Sequence, residues 1–491
     1  MAEQQGWRQR RSRRTTLLLA FAALAMERAD AALLPAVYRE IGTALQASPT
    51  ALGSIALSRS VVQTACYPLA AYLAARHDRL TVIALGAFVW AAATFLIGFS
   101  TTFPQMAVTA ALNGVGLALQ IPAIFAFVAD SVDGASRGMA FGWLAVAGKA
   151  GTVAGTSLGL LMAPTTFLGL PGWRLAFLLL GVLGAAVGVS IRAFAASDGA
   201  RGRVVTAASV KPVRQELQEF AREAKAVMRI PSFQVIIAQG LTGSFPWSAL
   251  LFTAMWLELV GFSHGETAAL MTLFKVATSL GSLFGGRMGD ALARRFKNSG
   301  RIVLSQISSG SAIPLSGVLL LALPNDPSST VKHGAALFIL GIMASWNSTA
   351  TNSPILAEIV PPRAMTTVFA LDRTFEAVLA SFAPPVVGLL AERLYGYKLA
   401  RSATGGGVDE RTTVDVEMER HNATSLARAI YTSIAIPMAM CCAIYSFLYC
   451  TYPRDREMAR AEAARDIGDY GGAGSSGSED EGDGERKLLP Q

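Results

Sequence analysis

Twelve stretches of about 20 mostly apolar residues alternate with short polar connections along this chain. They run near 15–38, 50–74, 81–100, 104–129, 138–163 and 173–195, then near 233–259, 265–288, 301–323, 333–359, 366–394 and 427–451. A helix needs about 20 apolar residues to cross roughly 30 Å of hydrocarbon. The pattern therefore predicts an all-α, polytopic membrane protein with twelve transmembrane helices. Composition agrees: of 491 residues, 52% are hydrophobic and 15% charged, with a mean hydropathy of +0.42. Soluble domains carry about 25% charged residues.

Five arginines, Arg8, Arg10, Arg11, Arg13 and Arg14, precede the first stretch, which has charges at its middle and no small-residue cleavage site, so it reads as a retained helix. Together with Arg76, Arg79, Arg294, Arg295 and Lys297 they fall on one side of a twelve-helix thread. The positive-inside rule makes that side, and both termini, cytoplasmic. The net charge of +8 is placed where topology asks for it and calls for no nucleic acid.

The predicted organisation has five parts: a basic N-terminus (1–14), a six-helix bundle (15–196), a polar linker (197–232), a second six-helix bundle (233–452) and a tail (453–491). In the linker, Val213, Leu217, Phe220, Ala224 and Val227 recur at helical spacing between charges, which predicts an amphipathic helix on the membrane surface. From about 462 the tail is acidic and small, and is expected to lack structure.

Arg59, Lys149 and Lys275 each sit inside a separate apolar stretch. A cation near the bilayer centre costs roughly 3 kcal/mol on insertion scales, so such groups face a bundle interior or a wet cavity. None has an acid three or four residues away on its own helix, and an anionic or amphiphilic organic ligand could supply the countercharge. Arg59 and Gln63 share a helix face. On the fifth stretch Gly151, Gly155 and Gly159 form a smooth ridge for close packing, with Lys149 about 160° away by the 100° helical step. In the first stretch Glu27 and Asp30 lie three apart with Arg28 pointing elsewhere, a proton-site candidate to set against neutralisation by a cation of another helix. Asp372, Arg373 and Glu376 lie within one turn, which reads as a local salt bridge. Asn347 and Asn352 bound a polar run in the tenth stretch and could contact substrate or simply pack the helix.

The halves also resemble each other: Asp130 and Arg137 precede GMAFGW, and Glu358 and Arg363 precede AMTTVF. Such duplication fits two bundles related by an axis along the membrane normal. The run Gly286-Arg-Met-Gly-Asp290-Ala-Leu-Ala-Arg294-Arg295 resembles the loop signature of the major facilitator superfamily. Asn113-Gly-Val-Gly116 and Gly172-Trp173-Arg174 are similar to further motifs of that family. Glu27-Arg28 resembles the spinster-like and organic-anion-transporter-like branches. This resemblance implies two pseudo-symmetric six-helix bundles, alternating access, and gating by Gly286, Asp290, Arg294, Arg295, Asp130, Arg137, Glu358 and Arg363. The sequence departs from the family pattern in AAYLAARHDR, the loop after the second helix, where alanine stands at either position of the family's acid. It also lacks the usual arginine near Ala110 and Ala111, so proton coupling does not follow from resemblance.

The expected function is secondary active transport of a small organic solute, with the lipid bilayer as surroundings and a coupling ion, H+ or Na+. A membrane receptor or regulator that keeps the transporter fold but moves nothing is the alternative. No enzymatic role, cofactor or metal is expected, because His77, His264, His333 and His421 are scattered along the chain rather than clustered as ligands. Asn422-Ala-Thr falls in a long predicted loop where glycosylation is expected to be open to it.

Overall fold

The computed structural model describes residues 2–132, 137–198, 213–360, 365–399 and 413–473. The first half comprises α1 (Ala2–Ala36), the short α2 (Tyr38–Leu45), α3 (Pro49–Arg76), α4 (Arg79–Phe99), α5 (Phe103–Ser131), α6 (Arg137–Met162) and α7 (Gly172–Asp198). A two-residue hairpin, β1 (Thr166–Phe167) antiparallel to β2 (Leu170–Pro171), precedes α7. Helix α8 (Val213–Val227) is the linker. The second half holds α9 (Pro231–Ala249), α10 (Thr253–Val260), α11 (His264–Arg295), α12 (Gly300–Gly317), α13 (Thr330–Ala344), α14 (Ser353–Ile359), α15 (Met365–Leu389), α16 (Thr413–Tyr445) and α17 (Leu448–Ala473). Among the described residues, nine stretches are long and apolar enough to cross a membrane. The other expected spans fall on α1, α3 and the α13–α14 pair.

Caps and prolines set the breaks. Ser48 accepts a hydrogen bond from the Ala51 amide with Pro49 at the first helical position, Asp78 caps α4 through Thr81, and Ser263 and Glu266 form a reciprocal capping box at α11. The expected seventh helix is interrupted: Pro246 lies inside α9, and a 3₁₀ turn at Leu250–Phe252 leads into α10. Pro314 and the pair Pro384, Pro385 precede π turns at Val318–Ala322 and Leu390–Leu394. Each proline removes an amide donor and crowds the preceding turn. The tenth stretch also breaks, at a π turn over Ser348–Asn352, where its polar run lies.

Within the first half α1 packs on α6, α3 on α5, and α4 on α5 and α7. The predicted ridge makes the α1–α6 contact: a Cβ at Gly151 would fall 2.0 Å from the Ala25 carbonyl oxygen, and one at Gly155 the same distance from that of Ala29. Only glycine allows backbones this close. In the second half α11 packs on α13, and α16 on α9 and α12. The halves meet along α3–α15 and α6–α11.

Two expectations change. The tail continues as helix to Ala473, past residue 462; the run from Glu457 to Arg465 is rich in Ala, Arg and Glu, good helix formers. Asn422 lies in α16 instead of a loop, 4% exposed, and its amide exchanges hydrogen bonds with the Lys398 backbone at 2.9 and 2.8 Å. A side chain held this way offers nothing to a glycosylating enzyme. The N-terminal arginine segment is helical, continuous with α1.

Candidate functional site

Chain alternation puts the loops around His77 and Phe296–Ser299, with the start of α17, at one end of the bundle, here called the basic end. Between the halves lies a cavity of about 160 Å³, lined by Arg28 and Pro35 of α1, Thr152 and Thr156 of α6, Trp247 of α9, and Phe274 and Lys275 of α11. A neighbouring cavity of about 210 Å³ is lined by Gln63 and Tyr67 of α3, Ser248 and Ser381, and Leu251 borders both. The Lys275 ammonium sits 5.7 Å from the Phe274 ring centroid, within cation–π range. Lys149 reaches across the halves and donates to Ser279 Oγ at 2.9 Å. Neither lysine has an ion-pair partner among the described residues.

The other cations of the membrane core are matched. Arg28 Nε lies 3.1 Å from Glu27 Oε2, so Arg28 bends back to its neighbour and does not point away from it. Arg59, expected to lack a countercharge, lies 3.8 Å from Asp30 Oδ2 on α1. The same carboxylate accepts hydrogen bonds from Thr94 Oγ1 at 2.6 Å and Asn113 Nδ2 at 2.9 Å, and is 2% exposed. Glu27 and Asp30 thus have separate partners.

In α15, Arg373 donates to Glu376 Oε2 at 3.0 Å, the local bridge that the spacing predicts, and reaches Ser348 Oγ at 3.4 Å. Asp372 is 3% exposed, and its Oδ1 has no hydrogen-bond partner. Asn347 donates to Ser309 Oγ at 2.8 Å, and Asn352 accepts from the Tyr445 hydroxyl at 2.8 Å. Both asparagines therefore bond within the second half, and neither borders the 160 or 210 Å³ cavity.

Of the residues expected to gate, Asp290 accepts from Arg301 Nη2 at 2.9 Å, and the same guanidinium donates to the Ala350 carbonyl and lies 4.0 Å from Glu358. Glu358 also accepts a hydrogen bond from the Tyr452 hydroxyl and lies 3.7 Å from Arg456. Arg294 lines the space beside this network, Arg295 lies over the Phe296 ring, and Gly286 sits in α11 beside Thr349. The side chains of Asp130 and Arg137, and all of Arg363, lie outside the described residues. Arg301, Tyr452 and Arg456 were not expected from sequence; their one signal is a position at the basic helix ends.

At the opposite end Arg39, in α2, donates to Glu419 Oε1 at 2.6 Å and to the Glu258 carbonyl at 3.2 Å. The Thr50 amide donates to Glu392 Oε1 at 2.7 Å. His264, counted among scattered histidines, has its Nδ1 2.7 Å from Glu258 Oε1 and 3.9 Å from Glu40 Oε1. Burial and the nearby Glu258 carboxylate push the Glu40 carboxyl up to about 7.

Residues 16–384 match the sequence model of the Major Facilitator Superfamily. The chain is 25% identical over 366 residues to an MFS-type efflux pump of Mycolicibacterium smegmatis, covering 74% of this chain and 80% of the pump. It is 27% identical over 115 residues to Multidrug resistance protein 1 of Bacillus subtilis, a match that covers 23% of this chain and only 30% of the Bacillus protein. A bacterial homologue of the human lysosomal transporter Spinster, solved inward-facing and unoccupied, superposes with a TM-score of 0.74 at 17% identity, covering 91% of this chain and 98% of the other. The nucleoside transporter NupG superposes with a TM-score of 0.60 at 13% identity, covering 87% and 98%. A D-xylose-proton symporter does so with 0.58 at 11%, covering 85% and 96%.

Proposed function

The chain belongs to the Major Facilitator Superfamily, and from that premise we propose that this transmembrane transporter carries an anionic, amphiphilic organic molecule in the cavity between its halves. One observation carries the reading: Lys149 and Lys275, from opposite halves, are the core cations left without a carboxylate among the described residues, whereas Arg28, Arg59 and Arg373 each have one. The cavity wall around Lys275 is otherwise largely apolar, with Pro35, Leu250, Leu251, Met271 and Phe274. A cation in a mostly apolar pocket selects a ligand with a negative head and a hydrocarbon body. Such a ligand would touch both halves, which is what alternating access needs.

Cross-half bonds gathered at the end opposite the basic loops support a conformation closed there and open toward the basic end, which we assign to the cytoplasm. The buried Asp30, tied to Arg59, Thr94 and Asn113, is our candidate for coupling to a proton. Protonation would release Arg59, giving the ion and the cavity a shared element.

The test is binding and flux in proteoliposomes, with a panel of fatty acids and lysophospholipids as probes. Lys275→Gln is expected to weaken retention of the anionic probes by about tenfold, on the scale of one lost charged hydrogen bond. Neutral probes should be unaffected. Equal loss for neutral and anionic probes, at equal folded protein, would remove the charge assignment.

A further inference from the structure

Glu40, Glu258 and His264 each offer one ligand atom, and the three atoms lie within 4.8 Å of one another. They come from both halves: Glu40 from α2, Glu258 from the last turn of α10 and His264 from the first residue of α11. The turn between the last two makes their meeting possible. Gly261 takes φ +109°, a left-handed conformation open to glycine, and the Ser263–Glu266 capping box then starts α11 so that His264 folds back on Glu258.

Two buried oxygens in this cluster have no hydrogen-bond partner: Glu258 Oε2, on a residue 1% exposed, and Glu40 Oε2. An unpartnered buried carboxylate oxygen carries a heavy desolvation cost, which a bound cation would offset. Arg39 is close, but its guanidinium is engaged by the Glu419 carboxylate and the Glu258 backbone carbonyl. One ligand atom from each of the three residues still lies within 4.8 Å of the other two, with the Arg39 guanidinium engaged elsewhere.

We propose that Glu40, Glu258 and His264 form a binding site for a divalent cation of the zinc class, which ties the two halves together at the end away from the basic loops. Zinc takes imidazole nitrogen and carboxylate oxygen at about 2.0–2.2 Å, and three protein ligands with one open position make a familiar set. Neighbouring ligand atoms around such an ion sit about 3.3 Å apart for tetrahedral bonds of that length. The His264–Glu258 separation of 2.7 Å would widen slightly, and the 3.9 Å between His264 and Glu40 would close slightly. Side-chain rotation supplies both movements.

Because Glu40 belongs to one half and the other two ligands to the second, the site is complete only while this end is shut. Bound metal stabilises that state by mass action and opposes its opening. The cation acts as a latch on the transport cycle, separate from substrate in the central cavity.

The experiment uses the purified full chain and Zn2+ itself, titrated calorimetrically and by thermal unfolding, with Mg2+ in parallel and EDTA for reversal. One high-affinity Zn2+ per chain, a raised melting temperature reversed by EDTA, and no equivalent response to Mg2+ are expected. Glu40→Gln and His264→Gln, both at partly exposed positions, should each weaken Zn2+ by more than the roughly tenfold that loss of a mere supporting partner costs. Absence of saturable Zn2+ binding to the unmutated chain would overturn the proposal without recourse to any variant. Binding that survives Glu40→Gln unchanged would overturn the bridge between halves, and binding that survives His264→Gln would place the metal elsewhere.

Discussion

The two ends of this molecule are held in different ways. Away from the basic loops, the bonds run between the halves: Arg39 to Glu419, the Thr50 amide to Glu392, and His264 to Glu40. Backbones also touch there, since a Cβ on Gly53 would lie 2.4 Å from the Pro384 carbonyl carbon and one on Gly388 would lie 2.3 Å from the Thr50 nitrogen. At the basic end, the network of Asp290, Arg301, Glu358, Tyr452 and Arg456 joins α11, α12, α14 and α17, all of the second half. In the first half, Arg79 opens α4 much as Arg301 opens α12, and donates to the Ala126 carbonyl as Arg301 does to Ala350. Among the described residues, one end is a clasp between two bodies and the other braces a single body.

The contrast predicts that damage at the two ends will be read by different instruments. The largest effect on stability is expected from Arg301→Ala. Its side chain is 12% exposed, and its loss leaves the Ala350 carbonyl and the Asp290 carboxylate without this donor. Removing one partner from such a set costs about 3 kcal/mol. A clear fall in the thermal midpoint in detergent is expected, with no change in access from the far end. If that access rises as well, the basic network is not internal to the second half.

Next in size is Gly388→Ala, which aims at the clasp. Its added methyl meets backbone rather than a side chain that could swing aside, and overpacking of this kind costs about 2 kcal/mol. The cost falls on the closed state alone, so the population open at this end should rise about 30-fold. Ala36 is 3% exposed and borders the central cavity. A cysteine placed there by Ala36→Cys should react faster with a membrane-impermeant reagent applied from that side when Gly388→Ala is present. An unchanged labelling rate would mean that the α3–α15 contact does not gate this end.

Much of the fold was legible because membrane helices announce themselves by length and apolarity. The glycine ridge of α6 and the linker helix α8 were legible because helical periodicity fixes which residues share a face. Partners on other helices were not. Arg59 looks solitary along its own helix, and only the packing of α3 beside α1 and α5 reveals Asp30 and Asn113 around it. Glu258 stands near a helix end with no local sign of a partner, and only the turn at Gly261 brings it, buried, against His264. Asn422 reads as a sequon because the Asn-X-Thr pattern contains no information on α16, which begins upstream at Thr413. The polar run of the tenth stretch reads as groups that need partners inside the protein, but spacing could not say whether Asn347 and Asn352 turn toward a cavity or toward α12 and α16. In each case the missing knowledge is which helices are neighbours, a tertiary fact that short-range spacing does not carry.

The smallest expected effect separates the parts of the clasp. Arg39 and Glu419 lie 2.6 Å apart, but their side chains are 25% and 36% exposed. An ion pair this wet contributes about 0.5 kcal/mol, and salt weakens it further. Glu419→Gln should therefore barely change Ala36→Cys labelling, and the small difference should vanish at about 1 M salt, where the screening length falls to about 3 Å. The backbone contacts at Gly53 and Gly388 carry no charge, so the labelling gain from Gly388→Ala should persist in the same salt. If high salt instead opens this end of the unmutated chain as fully as Gly388→Ala does, charge rather than close backbone packing holds the halves together there.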